Sequence, residues 1–148
     1  MFYGEFEHSI DRKGRLILPS KFREVAKTNF IERFFVTRGL DTCLFMFAEE
    51  EWRTQETKFK TMPFVKQDPR TFNRLFFSGA VDLIPDKQGR ILLPAYLKDH
   101  AEIKRDVIIV GVSNRIEIWS KEKWQEFYAN SRQSFEQIAE KLYDGGAA

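Results

Sequence analysis

Short runs of alternating apolar and polar residues, punctuated by glycine and proline, carry most of the pattern in this chain. The first run, Gly4–His8, leads to a turn centred on Lys13-Gly14, and a second strand follows at Arg15–Leu18. Glycine supplies the positive φ that such a turn favours, and the flanking alternation predicts a hairpin. Pro19 then opens a short helix over Ser20–Lys27, because proline's fixed φ and missing N–H suit a first helical turn. Strands at Phe34–Thr37 and Cys43–Phe47 come next, joined by Arg38-Gly-Leu-Asp41, whose residues suit a hairpin connection. A helix over Glu49–Lys58 carries its acidic residues at the start, where the helix dipole favours negative charge.

The pattern then starts again. Asp11-Arg-Lys-Gly-Arg-Leu-Ile-Leu-Pro19 recurs as Asp86-Lys-Gln-Gly-Arg-Ile-Leu-Leu-Pro94, at an offset of 75. Phe2 and Gly4 match Phe77 and Gly79 at the same offset. Downstream the offset is 72, which pairs Gly39 with Gly111, Trp52 with Trp124, and Leu44–Phe47 with Ile116–Trp119. A repeat with turn, proline and tryptophan all in step makes the chain two homologous units. The second copy accordingly predicts strands at Ala80–Leu83 and Arg90–Leu93 around a Gln88-Gly89 turn, then a helix over Ala95–His100. Strands Val107–Val110 and Arg115–Trp119 follow, joined by Gly111-Val-Ser-Asn114, and Ser120 caps a helix over Lys121–Tyr128.

Between the copies, Thr61–Arg74 holds Pro63 and Pro69 and reads as a linker, with one or two helical turns expected over Arg70–Phe77. The tail Ser131–Tyr143 places Phe135, Ile138, Ala139 and Leu142 on one helical stripe before Gly145-Gly146. The expected fold is therefore mainly β with short helices, of the α+β class. Its divisions are a first repeat over 5–53, a linker over 54–79, a second repeat over 80–125 and a C-terminal helix and tail over 126–148. Units this small bury too little surface alone, so the two are expected to share one core as a pseudo-dimer within the chain.

Composition supports a packed interior: 43% of the 148 residues are hydrophobic and 15 are phenylalanine. One cysteine, Cys43, excludes an intramolecular disulfide and any CxxC-type zinc cluster. The start, MFYGEFEHS, has neither a basic nor an apolar leader segment, and a cytoplasmic protein is expected. Enzymatic chemistry finds no foothold. His8 and His100 stand outside any metal-ligand spacing, and Cys43 lies in an apolar stretch that predicts an inert thiol. No phosphate-binding glycine loop or nucleophile elbow is present, so no catalytic residue, cofactor or metal is assigned.

Charge is more informative in its placement than in its net value of +2. Residues 11–27 hold Arg12, Lys13, Arg15, Lys21, Arg23 and Lys27 against Asp11 and Glu24, a local excess of +4. Residues 86–105 hold Lys87, Arg90, Lys98, Lys104 and Arg105 against Asp86, Asp99 and Glu102, an excess of +2. A two-stranded ribbon fits the DNA major groove, arginine pairs bidentately with guanine, and neighbouring lysines neutralise phosphates. The competing reading is structural: Asp11 with Arg15, and Asp86 with Arg90, flank tight turns and suit salt bridges that close them. Asp11, Gly14, Asp86 and Gly89 are accordingly assigned to the turns themselves, and Arg15 to DNA.

The duplicated DxxxR motif, Asp11-Arg-Lys-Gly-Arg15 and Asp86-Lys-Gln-Gly-Arg90, resembles that of the MraZ family over nearly the whole chain. The resemblance implies a swapped-hairpin barrel of the kind shared by AbrB-like, SpoVT-like and MazE-like proteins. It implies a transcriptional regulator of the bacterial cell-division and cell-wall gene cluster, located in the cytoplasm on the nucleoid. Such a protein binds double-stranded DNA at direct repeats in its own operon promoter and assembles into a homo-oligomeric ring. By position, Arg15 and Arg90 would be the main DNA contacts, supported by Arg12, Lys13 and Lys87. Gln88 stands where the first copy has Lys13, so the first hairpin is expected to dominate. The rival reading is an antitoxin-like or scaffold protein that grips a partner through Phe135, Ile138 and Leu142.

Overall fold

Both copies lay down the same succession of elements in the computed structural model, which describes residues 1–145. The first gives β1 (Phe2–Ser9), β2 (Arg15–Ile17), α1 (Ser20–Thr28), β3 (Phe34–Arg38), β4 (Leu44–Ala48) and α2 (Glu49–Lys60). Helix α3 (Gln67–Gly79) follows. The second copy gives β5 (Val81–Leu83), β6 (Arg90–Leu92), α4 (Ala95–His100), β7 (Asp106–Ser113), β8 (Ile116–Ser120) and α5 (Lys121–Ser131). A 3-10 turn at Arg132–Ser134 leads to α6 (Phe135–Asp144). Ser120 caps α5 as expected, its hydroxyl accepting from the Lys123 N–H at 3.1 Å. Gly146, in the expected tail ending, lies outside the described residues.

The hairpins expected around Gly14 and Gly89 form at their turns but not as ladders, whereas β3 with β4 and β7 with β8 pair as antiparallel hairpins. Strand β1 pairs with β7 of the other copy in an antiparallel ladder running from Phe2↔Ser113 to Ser9↔Asp106. Likewise β5 pairs with β3, and β2 pairs with β6 across the two copies. The strands that flank each turn therefore diverge, each completing a layer with the other copy. The reason lies in the inward faces. Phe2 and Phe6 of β1 meet the Phe22 ring of α1 edge-on, at 5.4 and 5.1 Å between centroids. Leu16 of β2 is buried directly opposite Ile91 of β6. The first copy alone would leave Leu16 in water, and the second Ile91.

The main sheet has six strands in the order β1-β7-β8-β4-β3-β5. Exchanging each strand for its repeat counterpart reverses that order onto itself. The chain is thus a pseudo-twofold object with its axis between β8 and β4. The ribbon β2-β6 lies on the same axis and closes the core from the other side, with Leu16, Leu18, Ile91 and Leu93 all buried in one cluster with β3, β4, β7 and β8 residues.

The segment read as a linker is a structural element. Helix α3 accepts Pro69 in its first turn, where no N–H is needed, and continues through Gly79 rather than for one or two turns. Its Phe72, Phe76 and Phe77 join Phe47, Trp52 and Phe59 in an aromatic cluster, with Trp52 stacked on Phe76 at 5.4 Å and on Phe35 at 5.1 Å. The Thr37 hydroxyl donates to the Phe76 carbonyl, and Arg38 donates to the Leu75 carbonyl at 2.8 Å, fixing the end of α3 to β3. The Phe2/Phe77 and Gly4/Gly79 matches therefore fall on strand in one copy and helix in the other. Gly111, expected in a hairpin connection, is a strand residue of β7 opposite Gly4.

Candidate nucleic-acid interface

Each DxxxR motif folds into the same self-closing turn. Asp11 accepts the Lys13 and Arg15 backbone N–H groups on Oδ1, both at 2.9 Å, and the Arg15 Nε–H on Oδ2 at 2.8 Å. The Gly14 N–H donates to the Asp11 carbonyl at 3.0 Å, and Gly14 sits at φ +79°, where a side chain would be strained. Asp86 repeats the arrangement with Gln88 N–H at 3.0 Å, Arg90 N–H at 2.9 Å and Arg90 Nε at 2.8 Å, with Gly89 at φ +80°. These bonds hold both aspartate carboxyls below their ordinary value. For each, the arginine backbone N–H contributes most. The spacing is thus explained: a carboxylate four residues before the arginine closes the turn and orients the guanidinium together.

The closure leaves part of each arginine unused. The Asp11 bond engages Nε of Arg15 alone, and its Nη groups have no hydrogen-bond partner among the described residues. Arg90 differs. Its Nη2 also donates to the Gln88 side-chain oxygen at 3.1 Å. The Gln88 substitution noted in the sequence therefore does two things: it removes a positive charge and it occupies the second arginine.

The ribbon brings the two motifs together. In its register Arg15 stands opposite Leu92, Leu16 opposite Ile91, and Ile17 opposite Arg90. Alternation along a strand puts Leu16 and Ile91 on the buried face. Arg15, Ile17, Arg90 and Leu92 share the outer face, with the arginines at diagonal corners. Backbone bonds across the copies lock the turns beside the ribbon: Leu18 N–H donates to the Gly89 carbonyl at 2.8 Å, and Leu93 N–H to the Gly14 carbonyl at 3.1 Å.

Two further cations arrive from the helices. A methyl group on Gly14 would lie 3.2 Å from Lys98 Nζ, and one on Gly89 would run into Arg23 Cδ. Each turn thus packs against a basic side chain of the other copy's helix. Both residues counted toward the basic stretches in the sequence. Their pairing with the opposite turn is visible only once the strands are exchanged. Arg12, Lys13 and Lys87 stand exposed on the same turns. His8 is held below its ordinary pKa by burial and then by the Arg23 charge, so it adds no cation at neutral pH.

The remaining chemistry-bearing groups are elsewhere. Cys43 is fully buried, its Sγ donating to the Leu40 carbonyl at 3.0 Å, and burial pushes its thiol strongly upward. His100 lies 3.2 Å from the Gly39 carbonyl at the end of α4. Among the described residues, no three of His, Cys, Asp and Glu come together as a metal site. No described helix is long and apolar enough to cross a membrane.

Comparison with known proteins finds relatives that match nearly the whole chain. A family model described as "MraZ protein, putative antitoxin-like" matches twice, over residues 1–75 and 76–145. A "Transcriptional regulator MraZ" of a Thermoanaerobacter species is 54% identical over 144 residues, covering 97% of this chain and 98% of its own. Proteins of the same name are similar in Caldanaerobacter subterraneus subsp. tengcongensis, 52% identical over 142 residues with 96% of each chain covered, and in Desulforamulus reducens, 51% identical over 144 residues with 97% and 99% covered.

Proposed function

The chain belongs to the MraZ family, and from that premise we propose that it is a transcriptional regulator that binds double-stranded DNA through the β2-β6 ribbon and its two turns. The observation that carries this reading is the pair of aspartate-oriented arginines on one exposed ribbon face, ringed by Arg12, Lys13, Lys87, Arg23 and Lys98. A two-stranded ribbon is narrow enough for the major groove, and a guanidinium with free Nη groups matches the guanine edge. The target is direct repeats in the promoter of its own operon within the cell-division and cell-wall gene cluster, and the protein works in the cytoplasm on the nucleoid.

Fluorescence anisotropy with DNA from upstream of its own operon tests this. The expected result is tighter binding than to scrambled DNA, with affinity falling steeply as salt rises, because lysine and arginine displace counterions from phosphates. Equal, weak, salt-insensitive binding to both DNAs would refute it.

We further propose that copies of the chain assemble into a ring, which would let modest single sites act together on repeated boxes. The supporting feature is α6, whose Phe135, Ile138, Leu142 and Tyr143 are between 49% and 79% exposed. A groove of about 420 Å³ lined by Phe45, Phe47, Phe59, Phe72 and Phe76 suits that apolar stripe. Leu142→Glu is expected to reduce the mass measured by light scattering to that of smaller species while leaving the circular dichroism unchanged. An unaltered mass with loss of a bound protein partner would favour the scaffold reading instead.

A further inference from the structure

We infer that Leu92 is a base-reading residue that contacts the methyl group of a thymine next to the base pair read by Arg15. This rests on the DNA-binding function proposed above and adds a specificity element to it.

The outer ribbon face holds four side chains, and only two of them are charged. Leu92 is 56% exposed there, although its strand neighbours Ile91 and Leu93 are each 2% exposed. A lone exposed leucine is ordinary on a protein surface. This one is placed otherwise. It stands directly opposite Arg15 in the ribbon register, and its Cδ1 lies over Gly14, 3.6 Å from where a methyl group on that residue would be. Leu92 therefore covers the turn that carries Arg12 and Lys13, on the side from which DNA would approach. A ribbon designed only for phosphate attraction would gain from a polar residue at this corner.

Spacing carries the rest. Directly opposed residues of an antiparallel pair have Cα atoms about 4.5–5.5 Å apart, and successive base pairs rise about 3.4 Å. Side chains from Arg15 and Leu92 thus reach the same or neighbouring base pairs. A leucine offers no donor or acceptor, so among major-groove features it can recognise only the apolar thymine C5-methyl. The pseudo-twofold repeats the pairing at the other corner, where Ile17 stands opposite Arg90. There the apolar side chain is only partly exposed, and Arg90 is engaged by Gln88. The Arg15–Leu92 corner is the stronger reader, and it selects a guanine followed or preceded by a thymine.

The test replaces each thymine of the operon-upstream DNA by uracil in turn, removing one methyl group without changing base pairing. Each duplex is titrated with wild type and with Leu92→Ala by fluorescence anisotropy. Wild type is expected to lose about four-fold in affinity at one thymine per bound box, the scale of one buried carbon group. Leu92→Ala should bind the all-thymine DNA more weakly by a similar factor, with the same salt dependence, and be indifferent to uracil at that position. Wild-type indifference to every uracil, with preference for this DNA over scrambled DNA intact, overturns the inference and leaves the regulator function standing. A uracil penalty that persists in Leu92→Ala overturns it too, by assigning the methyl contact to another residue. Absence of any preference for this DNA removes the premise and the inference together. Thermal melting of Leu92→Ala, expected to match wild type for so exposed a side chain, separates lost recognition from lost folding.

Discussion

Arg15→Ala is expected to weaken binding to operon-upstream DNA by roughly ten- to a hundred-fold, the range for one lost bidentate arginine–guanine pair. The same change at Arg90 is expected to cost distinctly less. The two arginines share their turn geometry almost atom for atom, with Nε held by aspartate at 2.8 Å in both. What separates them is the next residue but one on the N-terminal side. Lys13 leaves the Nη groups of Arg15 free and adds a cation, whereas Gln88 takes Nη2 of Arg90 at 3.1 Å and adds none. Arg90 must break that bond before it can pair with a base.

Loss of Arg15 should be concentrated on the native sequence, while Lys13→Ala should weaken native and scrambled DNA alike and reduce the salt slope by about one ion. The fold should persist, because Asp11 keeps its two backbone N–H bonds without the arginine side chain. Anisotropy on both DNAs, with a melting curve for each variant, checks these statements. Equal losses for Arg15→Ala and Arg90→Ala would show that Gln88 imposes no restraint in the complex. No loss in either would leave the arginines as turn braces only.

Gly111→Ala is expected to be the most damaging glycine-to-alanine change among the described residues. The added carbon would lie 2.5 Å from the Phe2 carbonyl carbon and the Tyr3 nitrogen, and 2.7 Å from the Phe2 oxygen. Carbon atoms pack comfortably at about 3.5–4.0 Å, and these neighbours are backbone, which has no rotamer to yield. Strand β1 must move away from β7, and with it go the Phe2 and Phe6 rings that meet Phe22. Forcing a group into a full site costs about 1–3 kcal/mol, occasionally more, and here the displaced ladder also joins the two copies, so a loss of at least about 3 kcal/mol is expected. For a chain of this size that corresponds to a Tm lower by roughly 6–12 °C. Thermal unfolding followed by circular dichroism measures it. A shift under about 2 °C would mean that β1 is less firmly seated on β7 than the register implies.

Gly39, the sequence counterpart of Gly111, makes a useful comparison. A methyl group there meets chiefly the Phe45 ring, at 2.7 Å, together with the Cys43 carbonyl at 2.9 Å. A side chain among the obstacles can give where a strand backbone cannot, so the same substitution should be milder at position 39.

The sequence by itself determined the two-copy organisation, the nature and order of the strands and short helices, and the chemistry gathered at the DxxxR turns. These are local matters. Alternation sets which residues face inward, glycine at 14 and 89 permits a left-handed turn, proline at 19 and 94 starts a helix, and a carboxylate four residues from an arginine can reach it. Even the difference between the two motifs was legible as Gln88 in place of Lys13, although its physical form, a side-chain bond to Arg90, was not.

Only the tertiary structure decided which strands pair. Both flanks of each turn carry an apolar face, and local pattern cannot distinguish a hairpin that closes on itself from one that opens to meet its twin. Burial decides it: Leu16 reaches the core only opposite Ile91, and Phe2 only beside Phe22 with β7 behind it. The same holds for α3, where prolines suggested a linker, yet Phe72 and Phe76 find Trp52 and make a helix worth its entropy. It holds for the proposed interface as well. Arg23, Lys98 and Leu92 reach the turns from the opposite copy, a proximity that exists only after exchange, because non-local contacts leave no mark on the spacing of residues along a chain.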